Sequence, residues 1–368
     1  MIEGDELAAW LRLLETPGVG RDSARRLLAA FGAPEAVVDA STEARARVVG
    51  PAAAAALATE PPGFSALLDA TRAWLDGATP AEARALVVIG EPGYPAALLH
   101  SADPPLLLYA RGRSALLGAE SIAIVGSRNP TNQGLENARA FAAHLSGAGM
   151  TVVSGLALGI DAAAHEGAFD GPGSTIAVVG TGLDRVYPAR NRALAHRIAE
   201  AGLIVSEFAI GTPALPPHFP IRNRIIAGLT RGTLVVEAAL QSGSLITARL
   251  AADMGRDVFA IPGSIHSPQS RGCLALLKQG AKLVDGVADI LEEYRPARDH
   301  GERRPSAPAG AESDPVLAAL GFDPVGLDTL VARTGRSAAD LAAHLLDLEL
   351  EGRVARLPGQ VFQRVERG

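Results

Sequence analysis

Cysteine is almost absent. Cys273 stands alone, so no internal disulfide can form, and the chain is expected to work in a reducing cytoplasm. In "RGCLALLKQG" the thiol has no basic neighbour beyond Arg271, the setting of a packed structural cysteine. Lysine is nearly as scarce: Lys278 and Lys282 are the only two, and arginine supplies the other cations. The net charge of −6 does not advertise a nucleic acid, so any such site must be a local patch of arginines. No apolar run reaches the roughly 18 residues of a membrane span, and the acidic start "MIEGDELAAW" is unlike a signal peptide. No membrane partner is therefore expected. Catalytic patterns are missing too. There is no G-x-S-x-G elbow, H-E-x-x-H, Walker loop or Cys/His pair at useful spacing, and neither an enzyme nor a cofactor is expected.

What is present is a folded, soluble composition, 48% hydrophobic and 20% charged, in 368 residues, enough for two or three domains. Residues 1–80 read as a helical domain. Within it "LLETPGVGRDSARRLLAAFG" sets two helical patterns about a Pro17–Gly20 turn, the pattern of a helix-hairpin-helix (SAM-like) motif. Such a turn offers backbone N–H groups to phosphate; it is equally an ordinary helix connection.

From 85 to 293 short apolar runs alternate with helical segments. Strands are expected at Ile122–Val125, Thr151–Val153, Ile176–Val179, Leu203–Val205, Leu234–Val236, Val258–Ile261 and Lys282–Val284. That alternation predicts an α/β fold with a mostly parallel sheet covered on both faces, and residues 86–112 add an edge elaboration. Residues 294–315, rich in charge, Pro, Gly and Ser, read as a linker. Residues 316–368 carry two helical patterns and a hairpin turning at Pro358–Gly359, a winged-helix arrangement.

In a parallel sheet, ligands sit at the carboxyl ends of the strands. Those ends carry Gly126, Ser127 and Arg128; then Ser154, Gly155, Gly159 and Asp161; then Gly180, Gly182, Arg185, Arg190, Asn191 and Arg192. The next two carry Phe219, Arg222, Asn223 and Arg224, and Glu237, Ser242, Gly243, Ser244 and Thr247. Glycines and serines there predict a floor of exposed N–H donors for anions, arginines add bidentate phosphate contacts, and Phe219 adds a stacking face. Alternatives stand beside each role. Arg128 could pair with Glu207, Phe219 could be core, and Asp161 with His165 could hold a metal, although no third ligand is near. Arg222 and Arg224, two apart on a helix, are expected to split, one binding and one holding structure. Glu237 is a catalytic candidate, but a strand-end residue fixing loops by hydrogen bonds is the better reading.

The ordered segments "IAIVGSRNPTNQG", "SGLALGIDAAAH", "GTGLDRVYPARNR", "HFPIRNRIIAGL" and "VVEAALQSGSLITARLAADMGRDVFAIPG" closely resemble the DprA (Smf) family of bacterial DNA-processing proteins over about residues 85–292. The resemblance implies an extended Rossmann fold that binds single-stranded DNA, dimerises and loads the RecA recombinase during natural transformation, protecting incoming DNA, with no known enzymatic activity. It matches Arg128 to the phosphate-binding arginine, places Arg192 in the "YPxxN" segment, and sets Phe219, Arg222, Asn223 and Arg224 beside DNA. Relatives often carry a lysine just before "HFP"; here Leu215-Pro216-Pro217 is apolar, and Arg185 or Arg190 is the candidate substitute.

Two rivals remain: a small-nucleotide-binding or nucleotide-hydrolysing protein, whose P-G-G-x-G-T-x-x-E loop is absent, and a structural adaptor built on the winged helix. Residues 314–368 hold six arginines against eight Asp or Glu, and "SAADLAAHLLDLELEG" has no Lys or Arg. The C-terminal module is therefore expected to bind protein rather than DNA.

Overall fold

Helix formers and well-placed breakers shape the first part of the chain. The computed structural model describes residues 4–294 and 314–365. Six helices come first: α1 (Gly4–Glu15), α2 (Arg21–Phe31), α3 (Pro34–Asp39), α4 (Thr42–Val49), α5 (Pro51–Ala56) and α6 (Phe64–Asp76). Proline occupies the first turn of α3 and α5, where no backbone N–H is needed, and Ser41 caps α4 by accepting from the Ala44 N–H. The α1–α2 turn closes through a Val19 N–H to Thr16 carbonyl bond of 3.1 Å, with Gly18 at φ 86°, which only glycine adopts freely.

A sheet follows. Its elements are β1 (Arg84–Val88), α7 (Ala96–Leu99), β2 (Leu107–Gly112), β3 (Ser121–Val125), α8 (Asn132–Gly147), β4 (Thr151–Ser154), α9 (Ile160–Ala168) and β5 (Thr175–Val178). Then come α10 (Arg192–Ala201), β6 (Leu203–Ser206), α11 (His218–Leu229), β7 (Gly232–Val235), α12 (Ser244–Asp253), β8 (Asp257–Ala260), α13 (Arg271–Lys278), β9 (Lys282–Leu283) and α14 (Val287–Tyr294). The nine strands lie in the order β1-β2-β6-β5-β4-β3-β7-β8-β9. β1 and β2 are the antiparallel edge, and β3 to β9 run parallel. All seven strands expected in the parallel part form, with ends shifted by a residue or two.

Alternation along these strands feeds two cores. Ile176, Val178, Leu203 and Val205 face one, whereas Ala177, Val179 and Ile204 face the other, the period-two consequence of burial on both faces. The second of these cores also contains Leu7, Trp10, Leu13 and Leu27 of the helical region and Trp74, whose ring meets Tyr109 of β2 edge-on at 5.9 Å. The change near residue 80 is thus one of secondary structure, not a break in the core, and residues 1–290 form one compact unit.

The second unit, residues 291–368, has a core of its own. It comprises α15 (Pro315–Leu320), β10 (Val325–Gly326), α16 (Leu327–Thr334), α17 (Ala338–Leu350), β11 (Val354–Leu357) and β12 (Val361–Arg364), with strand order β10-β12-β11. This is a winged helix. α15 was not expected from the sequence: Asp314 caps it, Pro315 opens it, and Val316, Leu317 and Leu320 fill the core. Nearly all of the expected linker, residues 295–313, lies outside the described residues. Among the described residues no helix is long and apolar enough to cross a membrane.

Candidate nucleic-acid interface

The strand order reverses at β3, which has β4 on one side and β7 on the other. A crevice must open there, outside the strand ends, because the following loops depart in opposite directions. An open cleft of about 700 Å³ occupies that position, walled by the loops after β3 and β7 and by α11.

The loop after β3 is held from below. A Cβ at Gly126 would lie 2.7 Å from Ile160 and 2.9 Å from the Glu237 carbonyl, so only glycine lets the chain turn here. Glu237 accepts from the Thr131 N–H at 2.9 Å and from its hydroxyl, Thr131 caps α8 through the Gly134 N–H, and Gly134 leaves room for the carboxylate. Glu237 therefore fixes the loop that carries Ser127 and Arg128. The Ser127 hydroxyl accepts from the Asn129 N–H at 3.1 Å, and Gln269 donates to the Asn129 carbonyl at 3.1 Å.

Arg128 reaches over the Phe219 ring, 5.8 Å from its centroid, and the Tyr187 ring is tilted against it with centroids 5.5 Å apart. Arg128 makes no ion pair among the described residues; Glu207, its expected alternative partner, binds Arg224 instead. Phe219 is half-buried on the wall rather than core, and Tyr187 is 51% exposed. Sequence reasoning passed over Tyr187 although it stands in "RVYPARNR", two residues before Arg190's neighbour Ala189.

Arg222 comes from α11 and is buried. Its guanidinium occupies the space that a Cβ at Gly155 would need, 1.8 Å away, and Nη1 donates to the Val178 carbonyl at the end of β5 at 2.5 Å. Its Nε is buried without a hydrogen-bond partner, although the residue contributes to the lining of the cleft. Burial pulls the Arg222 pKa down to about 10, Asp161 opposing and Arg128 reinforcing the fall, so the side chain stays cationic at neutral pH. Burial also raises the Asp161 carboxyl above its ordinary range, against the charge of Arg222 and hydrogen bonds from the Ala157 and Gly155 N–H groups.

Several strand-end residues do not offer donors to a ligand. The Gly155 N–H is taken by Asp161 at 3.1 Å, and the buried Ser154 hydroxyl donates to the Ile124 carbonyl at 2.6 Å. Gly159, at φ 82°, provides clearance against the Ser127 carbonyl, whereas a side chain at Gly180 would meet His218 and Phe219 only at ordinary contact distance, 3.4 Å. The Gly182 N–H donates to the Thr212 carbonyl at 3.0 Å. Asn191 is buried and holds the Leu156 and Ala157 carbonyls at 2.9 and 3.1 Å, while Arg190 and Arg192 are exposed and outside the lining. Asn223 of α11 does line it, as do Ser242, Gly243 and Ser244 at the start of α12, with the two serine hydroxyls 2.7 Å apart. The floor is thus made by Gly126 to Arg128 and Ser242 to Ser244, and Gly155, Gly159 and Gly182 are clearances.

Asp161 and His165 are internal braces. His165 Nε2 accepts from the Leu156 N–H at 3.3 Å and Nδ1 meets the Thr175 hydroxyl at 2.7 Å; burial, then Arg222, lowers its pKa to about 3. Cys273 is buried and pushed up to about 12 by desolvation, an unreactive thiol.

Arg224 points away from the cleft. It pairs with Glu207 and lies 3.2 Å from Asp103, which also takes Arg21 at 2.7 Å and Arg25. Burial pushes Asp103 up, but the hydrogen bonds of Arg21 and Arg25 and the charge of Arg224 outweigh it and hold its carboxyl low. Arg21 and Arg25, which follow the α1–α2 turn, therefore already face carboxylates of the same unit.

A family model described as DNA recombination-mediator protein A matches residues 85–295, and one described as DprA winged helix domain matches residues 300–360. Protein Smf of Escherichia coli is 41% identical over 278 residues, covering 72% of this chain and 74% of that protein. The X-ray structure of DNA processing protein A from Streptococcus pneumoniae superposes with a TM-score of 0.68 at 36% identity, covering 78% of this chain and 97% of that one. The structure of its namesake from Helicobacter pylori, a protein with a single-stranded DNA binding mode, gives a TM-score of 0.52 at 31% identity, covering 57% and 95%.

Proposed function

The chain belongs to the DNA recombination-mediator protein A (DprA/Smf) family, and from that premise we propose that it binds single-stranded DNA in the β3/β7 cleft. As a homodimer it protects incoming strands during natural transformation and hands them to the RecA recombinase. The observation that carries the reading is Arg128: a cation with no carboxylate partner among the described residues, laid over Phe219 beside the exposed Tyr187. A strand of phosphates and unstacked bases fits that pairing of charge and aromatic faces. Arg222 adds a second, fixed cation behind it, and Ser242 to Ser244 add hydroxyls and the start of α12. Here the arginine stands where a dinucleotide-binding turn has glycine, because the proposed ligand is gripped from the side rather than lowered onto the turn.

The test is fluorescence anisotropy with oligothymidine, competed by blunt duplex and by free nucleotides. Single strand should compete best and nucleotides least. A nucleotide that displaces the oligothymidine at comparable concentration supports the small-ligand reading, which the concave shape of the cleft favours. Turnover of that nucleotide, lost in Glu237→Gln, would establish an enzyme.

A further inference from the structure

α17 has two faces. Leu341, Leu345 and Leu348 are buried in the core of the winged unit, whereas Leu346 and Leu350 are 55% and 80% exposed. Ala339 and Ala343 are exposed as well. At about 100° per residue, Ala339, Ala343, Leu346 and Leu350 fall within roughly 60° of one another, opposite the buried leucines. Their spacing, four then three then four, is that of one seam of a coiled coil. An amphipathic helix needs one apolar face to hold a core. This helix has two, and the second is not covered by the other described residues of its own unit.

The flanks of the seam fix the chemistry of what covers it. Asp340 and Asp347 border one side and Glu349 the other, and α17 contains no Lys or Arg. Asp340 is bound by the Ser337 hydroxyl at 2.7 Å, but Asp347 and Glu349 have no ion-pair partner among the described residues. The nearest arginine beyond the helix end, Arg353, is engaged with Glu351 at 3.5 Å. A second copy of α17 would set carboxylates against carboxylates, and a DNA phosphate would meet the same charges. We propose that the Ala339–Leu350 seam docks a helix of another protein, one with a leucine-type apolar stripe bordered by Lys or Arg. The docked pair would be a short two-stranded seam with charge-matched flanks.

The probe is a labelled synthetic helix with leucines at the seam positions and lysines on both flanks, titrated against the full chain by anisotropy. The same peptide with glutamate flanks is the control. The lysine-flanked peptide should bind at least about tenfold more tightly than the control, and Leu346→Ser with Leu350→Ser should abolish binding while leaving the circular dichroism unchanged. Asp347→Lys with Glu349→Lys should reverse the preference between the peptides, a readout that does not depend on the serine variant. Equal or absent binding of both peptides overturns the proposal. So does a dimer that the double serine variant dissociates in sedimentation, which would make a second copy the occupant. Weaker duplex-DNA binding in that variant would overturn it in favour of a nucleic acid.

Discussion

The cleft at β3/β7 and the outer face of α17 are opposites in composition. The first brings Arg128 and Arg222 to aromatic rings with no acidic side chain but the buried Asp161, which is occupied by backbone N–H groups. The second brings leucines between carboxylates with no cation. The chain as a whole is acidic, yet the loop after β3 brings Arg128 to the cleft and α11 sorts its arginines: Arg224 goes to Glu207 and Asp103, and Arg222 goes to the cleft. Charge is placed by packing here, not by composition.

The comparison breaks most sharply at Arg224. Both side chains of its pair with Glu207 are largely buried, so Arg224→Gln should cost up to about 3–5 kcal/mol of stability in urea unfolding, since the carboxylate keeps only Arg21 at 3.8 Å. The folded fraction should bind oligothymidine within a few-fold of the parent. A large loss of affinity at unchanged stability would place Arg224 at the strand instead.

Arg128→Ala should do the reverse. Stability should hold, affinity for single strands should fall by about 1.5–3 kcal/mol as a charged contact is lost, and the log–log salt slope should flatten by about 0.7. A folded variant with both affinity and slope intact would remove Arg128 from the interface. Phe219→Ala is expected to lose about 1–3 kcal/mol with no change in slope, because stacking releases no counterions.

Acid should separate the two units. His165 is neutral and buried with its pKa near 3, against about 6.5 when unfolded, so the unfolded state binds the extra proton between those values. Stability of residues 1–290 should therefore fall as the pH drops below 6.5, by about 2 kcal/mol at pH 5. Asp161, with its raised pKa, gains a proton on folding over its own range and offsets part of this loss. In the winged unit Asp314 is held low by the His344 and Val316 N–H hydrogen bonds in spite of desolvation. Its stabilisation is lost only as the pH falls below the ordinary Asp value of 3.8. Differential melting at pH 5 and pH 7.5 reads both. Equal shifts in the two units would contradict the assignment.

The smallest effect should come from deleting residues 300–368. Single-strand affinity should stay within a few-fold, since that module carries no cationic face on α17. A hundredfold loss, about 2.7 kcal/mol, would erase the contrast between the two surfaces.

Most of the sheet could be read in the sequence because strands buried on both faces are short uncharged runs with abrupt ends. Ser121–Val125 is buried at every position. The cleft was half legible. Arg128 and Phe219 are conspicuous at a strand end and a helix start. The partition of Arg222 and Arg224 was foreseen as a partition, but which one faces the cleft depends on Asp103, over a hundred residues earlier in the chain. Gly155 looked like an anion-binding glycine; only three-dimensional packing shows an arginine standing where its side chain would be. The shared core of Leu7 and Tyr109 was invisible for the same reason, since a change of periodicity near residue 80 marks the end of helices and says nothing of what they pack against.

That shared core sets where such a gene can be cut and rejoined. A crossover between relatives at residues 295–313 exchanges a unit whose leucines pack on one another, and each parent's core arrives whole. A crossover near residue 80 instead mates one parent's Trp74 with the other's Tyr109, and every mismatch in size is felt in a close-packed interior. Lineages should therefore trade or lose the C-terminal module freely, while the N-terminal helices travel with their sheet.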